Sequence, residues 1–186
     1  MDKLNDTPGT DSQPKVKPSF VEEFRLSSFD ANNNQEQLIL EVELLLKDKD
    51  MDVNDVDEDG MDALMWSIGT ESIELVNLLL RKGADPTRAC KYGWTAASMA
   101  LGIQCQEILE RLITADKSNL EWKNDEGRSL LLHAVYLKYT YEAELLLEHG
   151  ADIYSKDKYG KTAFDLAEGN EKMLKLLNKH KGDKGI

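Results

Sequence analysis

Cysteine is scarce in this chain, and its scarcity argues against two kinds of site. The 186 residues include only two cysteines, Cys90 and Cys105, which lie 15 positions apart. They form no CxxC motif and have no histidine pair beside them. This spacing indicates neither a disulfide framework nor a zinc site, so we expect two free thiols without a functional role.

Positive charge is also in short supply. Lysine and arginine together number 23, against 35 aspartates and glutamates, so the formal net charge at pH 7 is -12. A nucleic-acid-binding surface needs a basic face for phosphate contacts, and anionic lipids attract basic segments. We therefore expect no nucleic-acid partner and no affinity for anionic membrane surfaces. If charge steers an encounter with another protein, that protein is basic.

Long apolar runs and an export signal are missing from the sequence as well. No stretch approaches the roughly 20 apolar residues that cross a bilayer, and the opening MDKLND lacks the basic-then-apolar pattern of a signal peptide. We expect no membrane insertion and a cytoplasmic or nuclear location. Three of the four prolines lie among polar residues before position 19. Because that stretch has almost nothing to bury, we predict that residues 1–19 form a disordered tail.

What the chain does contain is a regular period. Gly60, Gly93, Gly127 and Gly160 recur at spacings of 33, 34 and 33 residues. Each glycine belongs to a short polar turn, which is followed by a small-residue segment and then by a leucine-rich segment. A period of this length, with one turn and two helical segments per unit, is typical of stacked repeat proteins.

The period divides the chain into five predicted units, at residues 20–56, 57–89, 90–123, 124–156 and 157–180. The first unit lacks the turn glycine, and we predict a degenerate helix pair there with Asn32–Asn34 as its inner loop. The last unit has a shortened, lysine-rich second helix, as a solvent-facing cap requires. Residues 181–186 are predicted to form a short basic tail.

The units share one phrase. The four regular copies read DEDGMDALMWS, CKYGWTAASMA, NDEGRSLLLHA and DKYGKTAFDLA. This phrase resembles the ankyrin-repeat pattern D-x-x-G-x-T-P-L-H-x-A-A, which is followed by leucines and by G-A-D. The resemblance covers residues 57 to about 177 well and residues 20–56 loosely. It implies an all-α solenoid of stacked helix-turn-helix units with projecting β-turn fingers.

Two departures from the family pattern have physical consequences. The position of the capping threonine holds Asp62, Thr95, Ser129 and Thr162, and each of these side chains can accept a hydrogen bond from a free N–H group at the helix start. The third unit is one residue longer than the others and shows Asp-Lys-Ser at 116–118 in place of Gly-Ala-Asp. We therefore predict a distorted turn in that unit.

The resemblance also implies a concave groove lined by one face of each inner helix. Apolar side chains at those positions would form a strip suited to a segment of a partner protein, and glycines at 69, 102 and 169 would leave room for its backbone. Half-buried packing against the next repeat is the alternative explanation for these apolar residues. The predicted groove contacts are Trp66, Met99, Ile103, His133, Tyr136 and Leu137.

The turn residues beside the glycines differ in character from unit to unit. Acidic tips in the second and fourth units flank an aromatic tip in the third. Exposed aromatic residues at turns rarely serve folding alone, so we expect Tyr92 and Trp94 to be the main anchors outside the groove. The predicted finger-tip contacts are Met61, Tyr92, Trp94, Arg128 and Tyr159.

The motifs give no support for catalysis. The chain contains no GxxxxGK[ST], GxSxG or HExxH, and its three histidines are scattered. One expected contact is a hydrogen bond between His133 and Asp165 of the following unit, which could be structural or catalytic. The acidic stretch 48–55 lacks the glycine and the terminal glutamate of a calcium loop. We predict no enzyme activity, no catalytic residue, no metal site and no cofactor.

These observations predict a protein that works by binding other proteins. The leading hypothesis is a non-catalytic adaptor, monomeric by itself, that holds a peptide or a helical segment of its partner in the groove and at the finger tips. A second hypothesis is an inhibitor or regulatory subunit that masks a functional surface of its partner with the fingers. A third is a pathogen effector that binds host proteins.

Overall fold

The computed structural model describes residues 18–30 and 34–182. Within them it contains ten α-helices, one 3-10 helix and no extended strand, so the predicted all-α fold is confirmed. Most of the predicted N-terminal tail, Asn32, Asn33 and residues 183–186 lie outside the described residues. The helices are α1 (Phe20–Asp30), α2 (Gln35–Leu45), α3 (Ala63–Ile68), α4 (Ile73–Arg81), α5 (Ala96–Gly102), α6 (Gln106–Ala115), α7 (Leu130–Leu137), α8 (Thr140–Glu148), α9 (Ala163–Leu166) and α10 (Glu171–Gly182).

The helices stack in two layers. The odd-numbered helices form the inner layer, in which each contacts its counterpart in the next unit, and the even-numbered helices form an outer layer in the same way. Within each unit the inner helix also packs on the outer helix. This is the arrangement expected of a solenoid, in which each repeat contacts only its neighbours. The final helix, α10, continues through Gly182, past the position 180 where the sequence analysis ends the last unit.

The inner helices of the regular units begin at the predicted caps. Asp62 accepts a hydrogen bond from the amide of Met65 at 2.8 Å, and Ser129 accepts one from the amide of Leu132 at 3.3 Å. Thr95 and Thr162 form full capping boxes, in which a side chain of the first turn bonds back to the cap's own amide. Each cap contributes about 0.5–2 kcal/mol. The repeated capping prediction is therefore confirmed.

The core runs along the stack as one continuous cluster between the two helix layers. Leu64, Leu75 and Leu79 of the second unit are fully buried, and so are Leu109 and Leu112 of the third. Burial of one such side chain stabilises the fold by about 1.5–3 kcal/mol. The apolar stripes face neighbouring repeats, so most of the periodic leucine side chains serve folding. Few of them are available to contact a partner.

Each finger is a tight turn that its own backbone closes. In the second unit the amide of Asp57 donates to the carbonyl of Met61 at 2.9 Å, and Gly60 adopts a left-handed φ of 77°. That conformation is costly for a residue with a Cβ atom, which explains the glycine at this place in every regular unit. Neighbouring fingers are joined by a backbone hydrogen bond, from Lys91 to Asp59 and from Lys158 to Glu126, both at 2.9 Å.

The third and fourth fingers depart from this pattern. By the repeat, the amide of Asp125 would donate to the carbonyl of Tyr92, but that bond is absent among the described residues. Before the fourth finger, a 3-10 helix (Lys117–Glu121) occupies the turn that the sequence predicts to be distorted. We attribute the separation of the fingers to the extra residue of this unit. Trp122 spans it instead, because its indole N–H donates to the carbonyl of Gly93 at 2.7 Å.

Candidate functional site

A cavity of about 300 Å³ lies where the third and fourth fingers separate. Its walls come from both fingers, and its floor comes from the inner helices α5 and α7. Concave sites with aromatic walls and a few polar groups are the usual form of a binding site. The lining residues are Tyr92, Gly93, Trp94, Ser98, Gly102, Trp122, Lys123, Asn124, Asp125, Glu126 and His133.

Two predicted anchors, Tyr92 and Trp94, stand on the outer wall of this cavity with 64% and 55% of their surfaces exposed. The hydroxyl of Tyr92 donates to Oδ1 of Asp59 at 3.0 Å, and this bond together with the aspartate's charge raises the pKa of the phenol. Within the described residues, the indole N–H of Trp94 has no hydrogen-bond partner. Trp94 is therefore held in place by its backbone and left open on its ring face and its donor.

Trp122 is a lining residue that the sequence analysis missed. Besides its bond to Gly93, its ring meets the imidazole of His133 edge-on, with 6.0 Å between centroids. A signal for it did exist in the sequence. The same repeat position holds Asp55, Arg88 and Ser155 in the other units, so a tryptophan there is a departure from a polar position.

His133 forms part of the cavity floor and is half-buried. Burial lowers the pKa of its imidazole, and the nearby charge of Arg128 lowers it further, so the ring is neutral at pH 7. Its Nδ1 lies 3.4 Å from the side-chain nitrogen of Asn124. The expected partner, Asp165, instead accepts hydrogen bonds from the amide and the hydroxyl of Thr162. The expected bond between His133 and Asp165 is therefore not the one that forms, because the carboxylate is used to cap α9.

Trp66, a predicted groove contact, is covered from within the molecule. Its indole N–H donates to Oδ2 of Asp57 at 2.9 Å, and the guanidinium of Arg25 lies 4.8 Å from the centre of its ring. Arg25 also forms an ion pair with Asp57 at 3.7 Å. Helix α1 thus places an arginine on the one aromatic side chain of the second unit's inner helix.

Tyr136 is covered in a similar way, although half of its surface remains exposed. The guanidinium of Arg128 lies 3.8 Å from the centre of the Tyr136 ring, and Arg128 pairs with the buried carboxylate of Asp157 at 3.8 Å. Arg128, which the sequence analysis places at a finger tip, is half-buried and bridges the fourth and fifth units. The arginine therefore contributes to the junction between two repeats.

The remaining predicted contacts divide into two groups. Ile103 is exposed on the inner layer, and Tyr159 is exposed at the last finger with the ammonium of Lys158 5.3 Å from its ring centre. Met61, Met99 and Leu137 are half-buried, and both methionines pack on the core. The predicted groove strip is therefore not a continuous exposed surface. Among the predicted contacts, most of the exposed apolar side chains belong to the third and fourth units, namely Tyr92, Trp94, Ile103 and Tyr136.

Comparison with known proteins agrees with this geometry. The family model described as "Ankyrin repeats (3 copies)" matches residues 31–121 and also residues 96–186. This chain belongs to the ankyrin-repeat family. Ankyrin-repeat proteins generally mediate protein–protein interactions and are typically non-catalytic.

Relatives of this ankyrin-repeat protein occur in distant organisms. It is 29% identical over 139 residues to a protein named ankyrin repeat protein YahD of Escherichia coli K12, covering 71% of this chain and 69% of that one. It is 31% identical over 114 residues to alpha-latrotoxin-Lg1a of Latrodectus geometricus, covering 60% of this chain but 8% of the toxin. It is 28% identical over 149 residues to a protein named 26S proteasome regulatory subunit p28 of Saccharomyces cerevisiae, covering 76% of this chain and 65% of that one.

The described residues of this ankyrin-repeat protein, 18–30 and 34–182, also bear on membrane insertion and on metal binding. No helix there has both the length and the apolarity to cross a membrane. No group of three or more histidine, cysteine, aspartate or glutamate side chains there could hold a metal ion. Cys90 is buried, Cys105 is half-buried, and both are free.

Proposed function

We propose that this ankyrin-repeat protein is a non-catalytic adaptor that binds a segment of another protein at the cavity between its third and fourth fingers. The observation that carries the proposal is a missing hydrogen bond. Among the described junctions between regular units, this is the one without a backbone hydrogen bond between its fingers, and a cavity opens there beneath exposed aromatic side chains. Within this proposal the protein acts in the cytoplasm or nucleus and is monomeric until it meets its partner.

The composition of the cavity supports an interface. Tryptophan and tyrosine are favoured at the centres of protein interfaces because they bury a large area with few rotatable bonds. Three such rings line this cavity. Trp122 is fixed by its bond to Gly93 and by its contact with His133, so one wall is organised before binding. A preorganised wall reduces the entropy lost when a partner binds.

The neighbouring inner helices extend the surface on which a segment could lie. Gly102 has no heavy atom within 4 Å of the place where a Cβ would stand, so the floor beside the cavity is open. Ile103 and Tyr136 project beyond it with 44% and 51% of their surfaces exposed. A bound segment would fill the cavity with one side chain and cross these two residues with its neighbours.

The experiment combines capture with direct binding. A photo-crosslinking amino acid replaces Lys123, an exposed lining residue that is not one of the aromatic anchors, and a control protein carries it in place of Tyr154, an exposed residue outside the cavity. Proteins crosslinked only at position 123 are identified, purified and titrated against the wild type by calorimetry. We expect Tyr92→Ala with Trp94→Ala to weaken binding by about 30-fold or more, as loss of an interface hot spot does.

Two outcomes decide the proposal. The matched variant Tyr141→Ala with Tyr154→Ala removes two comparably exposed tyrosines outside the cavity and is expected to bind as the wild type does. Circular dichroism establishes that both double variants are folded. If the aromatic variant keeps the wild-type affinity, or if the control variant loses as much, the cavity is not the binding site.

A regulatory subunit is the second candidate function. It is favoured by the relative whose name describes a 26S proteasome regulatory subunit, which this chain matches over 76% of its length. In that case the fingers would cover a folded domain of the partner. Exposed acidic tips such as Glu58 and Asp59 would then contribute, and affinity would fall steeply with added salt. A shallow salt dependence together with tight binding of an isolated peptide would favour the adaptor.

A further inference from the structure

The three tryptophans of the chain differ in the groups that contact their indole N–H and their ring face. The indole N–H of Trp66 is bonded to Asp57, and that of Trp122 is bonded to Gly93. Trp94 has no such partner among the described residues. Its ring also carries no cation, whereas Arg25 lies over the ring of Trp66. Of the three, Trp94 is therefore the one whose donor and ring face remain open to a ligand.

Five cations lie over aromatic rings in the described residues, and of these the two arginines also pair with a finger carboxylate, whereas Lys158, Lys172 and Lys181 do not. Arg25 covers Trp66 and pairs with Asp57, and Arg128 covers Tyr136 and pairs with Asp157. In each case a guanidinium group lies over a ring of the inner layer while a finger aspartate neutralises its charge. Arginine suits this role because its planar cation stacks on aromatic faces and bonds to carboxylates at the same time.

The cavity between the third and fourth fingers offers the same two components without the arginine. Within the described residues, no cation lies over the ring of Tyr92, Trp94 or Trp122. Asp125 and Glu126 are among the residues that line the same cavity, and the charge of Glu126 acts on the imidazole of His133 in its floor. These are the ring and the anion that the two internal arginines use, assembled at a place open to a partner.

The basic groups around the cavity are too few to neutralise its two acidic residues. Lys123 is the one basic residue that is always charged among the lining residues, and His133 is the other basic group there and is neutral at pH 7. The ammonium of Lys158 is held outside, where it donates to the backbone carbonyl of Asp125 at 3.0 Å. The lining residues therefore carry a net negative charge, in a protein whose formal net charge is -12.

We infer that this cavity binds an arginine side chain of the partner protein, with the guanidinium on the face of Trp94 and its N–H groups directed at Asp125 and Glu126. The inference rests on the proposed function and names the chemistry of the partner at that site. A cavity of about 300 Å³ is at the lower end of ligand pockets, which suits one long side chain. The partner is accordingly basic at the segment that binds.

The test uses a single amino acid and its neutral counterpart. Protein carrying ¹⁵N-labelled tryptophan is titrated with Nα-acetyl-arginine N-methylamide and, separately, with the citrulline analogue, which has nearly the same shape and no charge. We expect the indole signals of Trp94 and Trp122 to shift with a common dissociation constant in the millimolar range, while that of Trp66 stays in place. Citrulline is expected to bind at least about fivefold more weakly.

Variants assign the effect to named groups. Trp94→Leu is expected to abolish the shift of Trp122, whereas Tyr159→Leu, which removes a comparably exposed aromatic from the last finger, leaves it unchanged. Asp125→Asn with Glu126→Gln should reduce the preference for arginine over citrulline to near unity. The lysine analogue is expected to bind more weakly than arginine because its compact ammonium does not stack.

Several results would overturn the inference. They are equal binding of arginine and citrulline, a shift of Trp66 with the same midpoint, and no shift of Trp94 at about 50 mM probe. The inference and the proposed function can fail separately. A partner that is captured at position 123 and depends on Trp94, without any arginine selectivity, removes this inference alone. A partner that ignores Trp94 removes the function as well.

Discussion

Replacement of Gly127 by alanine is expected to cost more stability than the same replacement at Gly93. Both glycines have a left-handed φ, 71° and 75°. They differ in their surroundings. A Cβ at Gly127 would lie 3.0 Å from the backbone nitrogen of Lys158, whereas a Cβ at Gly93 would meet nothing within 4 Å. The amide of Lys158 donates the hydrogen bond to Glu126 that joins the last two fingers.

The expected magnitudes follow from these two terms. A left-handed conformation costs a residue with a Cβ about 1–2 kcal/mol, which applies to both variants. The clash at Gly127 displaces Lys158 and weakens a hydrogen bond whose net contribution is about 0.5–1.5 kcal/mol. The loss of chain entropy in the unfolded state on changing glycine to alanine is common to both and cancels in the comparison. Gly127→Ala should therefore lose about 0.5–1.5 kcal/mol more than Gly93→Ala.

The assay is urea unfolding at pH 7, followed by circular dichroism at equilibrium. The free energy of unfolding is compared only between variants that keep the wild-type m-value. The other two turn glycines serve as a second pair, since a Cβ at Gly60 would lie 3.2 Å from the nitrogen of Lys91 and one at Gly160 would lie in open space. Equal losses at Gly127 and Gly93 would refute the role that we assign to finger-to-finger bonding.

Two further variants probe buried charge. Burial raises the pKa of Asp62 above its ordinary value of 3.8, so the native state holds this proton more tightly than the unfolded chain does, and stability is lost as the pH rises through the raised pKa. Asp62→Asn keeps a good helix cap and should match or exceed the wild-type melting temperature at pH 7. The difference between the two melting temperatures should shrink as the pH falls toward 3.8. A melting temperature far below that of the wild type at pH 7 would contradict this reasoning. Arg128→Leu leaves the buried carboxylate of Asp157 without its cation and should cost about 1–3 kcal/mol in urea unfolding. The double variant with Asp157→Asn should recover part of that loss, and no recovery would mean that stacking on Tyr136 provides the stabilisation.

Much of the fold could be predicted from local chemistry. A left-handed turn requires glycine, and a helix start requires a side chain that accepts a hydrogen bond, so Gly60 and Asp62 mark a finger and a helix wherever the chain goes next. The extra residue of the third unit likewise indicated a distorted turn. These features depend on residues a few positions apart, which the sequence shows directly.

The candidate site was harder to predict because it depends on contacts between units. Trp66 and Tyr136 occupy different positions on their inner helices, and nothing local in the sequence indicates that Arg25 and Arg128 cover their rings. The expected hydrogen bond between His133 and Asp165 would join two neighbouring units, whereas Asp165 accepts its hydrogen bonds from the amide and the hydroxyl of Thr162, three residues away. The sequence does not show where the side chain of Trp122 lies, because this residue belongs to a connecting segment whose course is set by the 3-10 helix before it.

The sequence by itself therefore determined the repeat, its turns and its caps, since each is a short-range requirement of the backbone. Only the tertiary structure decided which aromatic side chains stay available for a partner. That outcome depends on how each repeat meets the next. The third unit has one extra residue, and the backbone hydrogen bond that joins the fingers at the other two junctions is missing between the third and fourth fingers among the described residues. The aromatic cavity at that junction is a property of the stack as a whole, and Trp94 stays 55% exposed there, with no hydrogen bond to its indole N–H among the described residues.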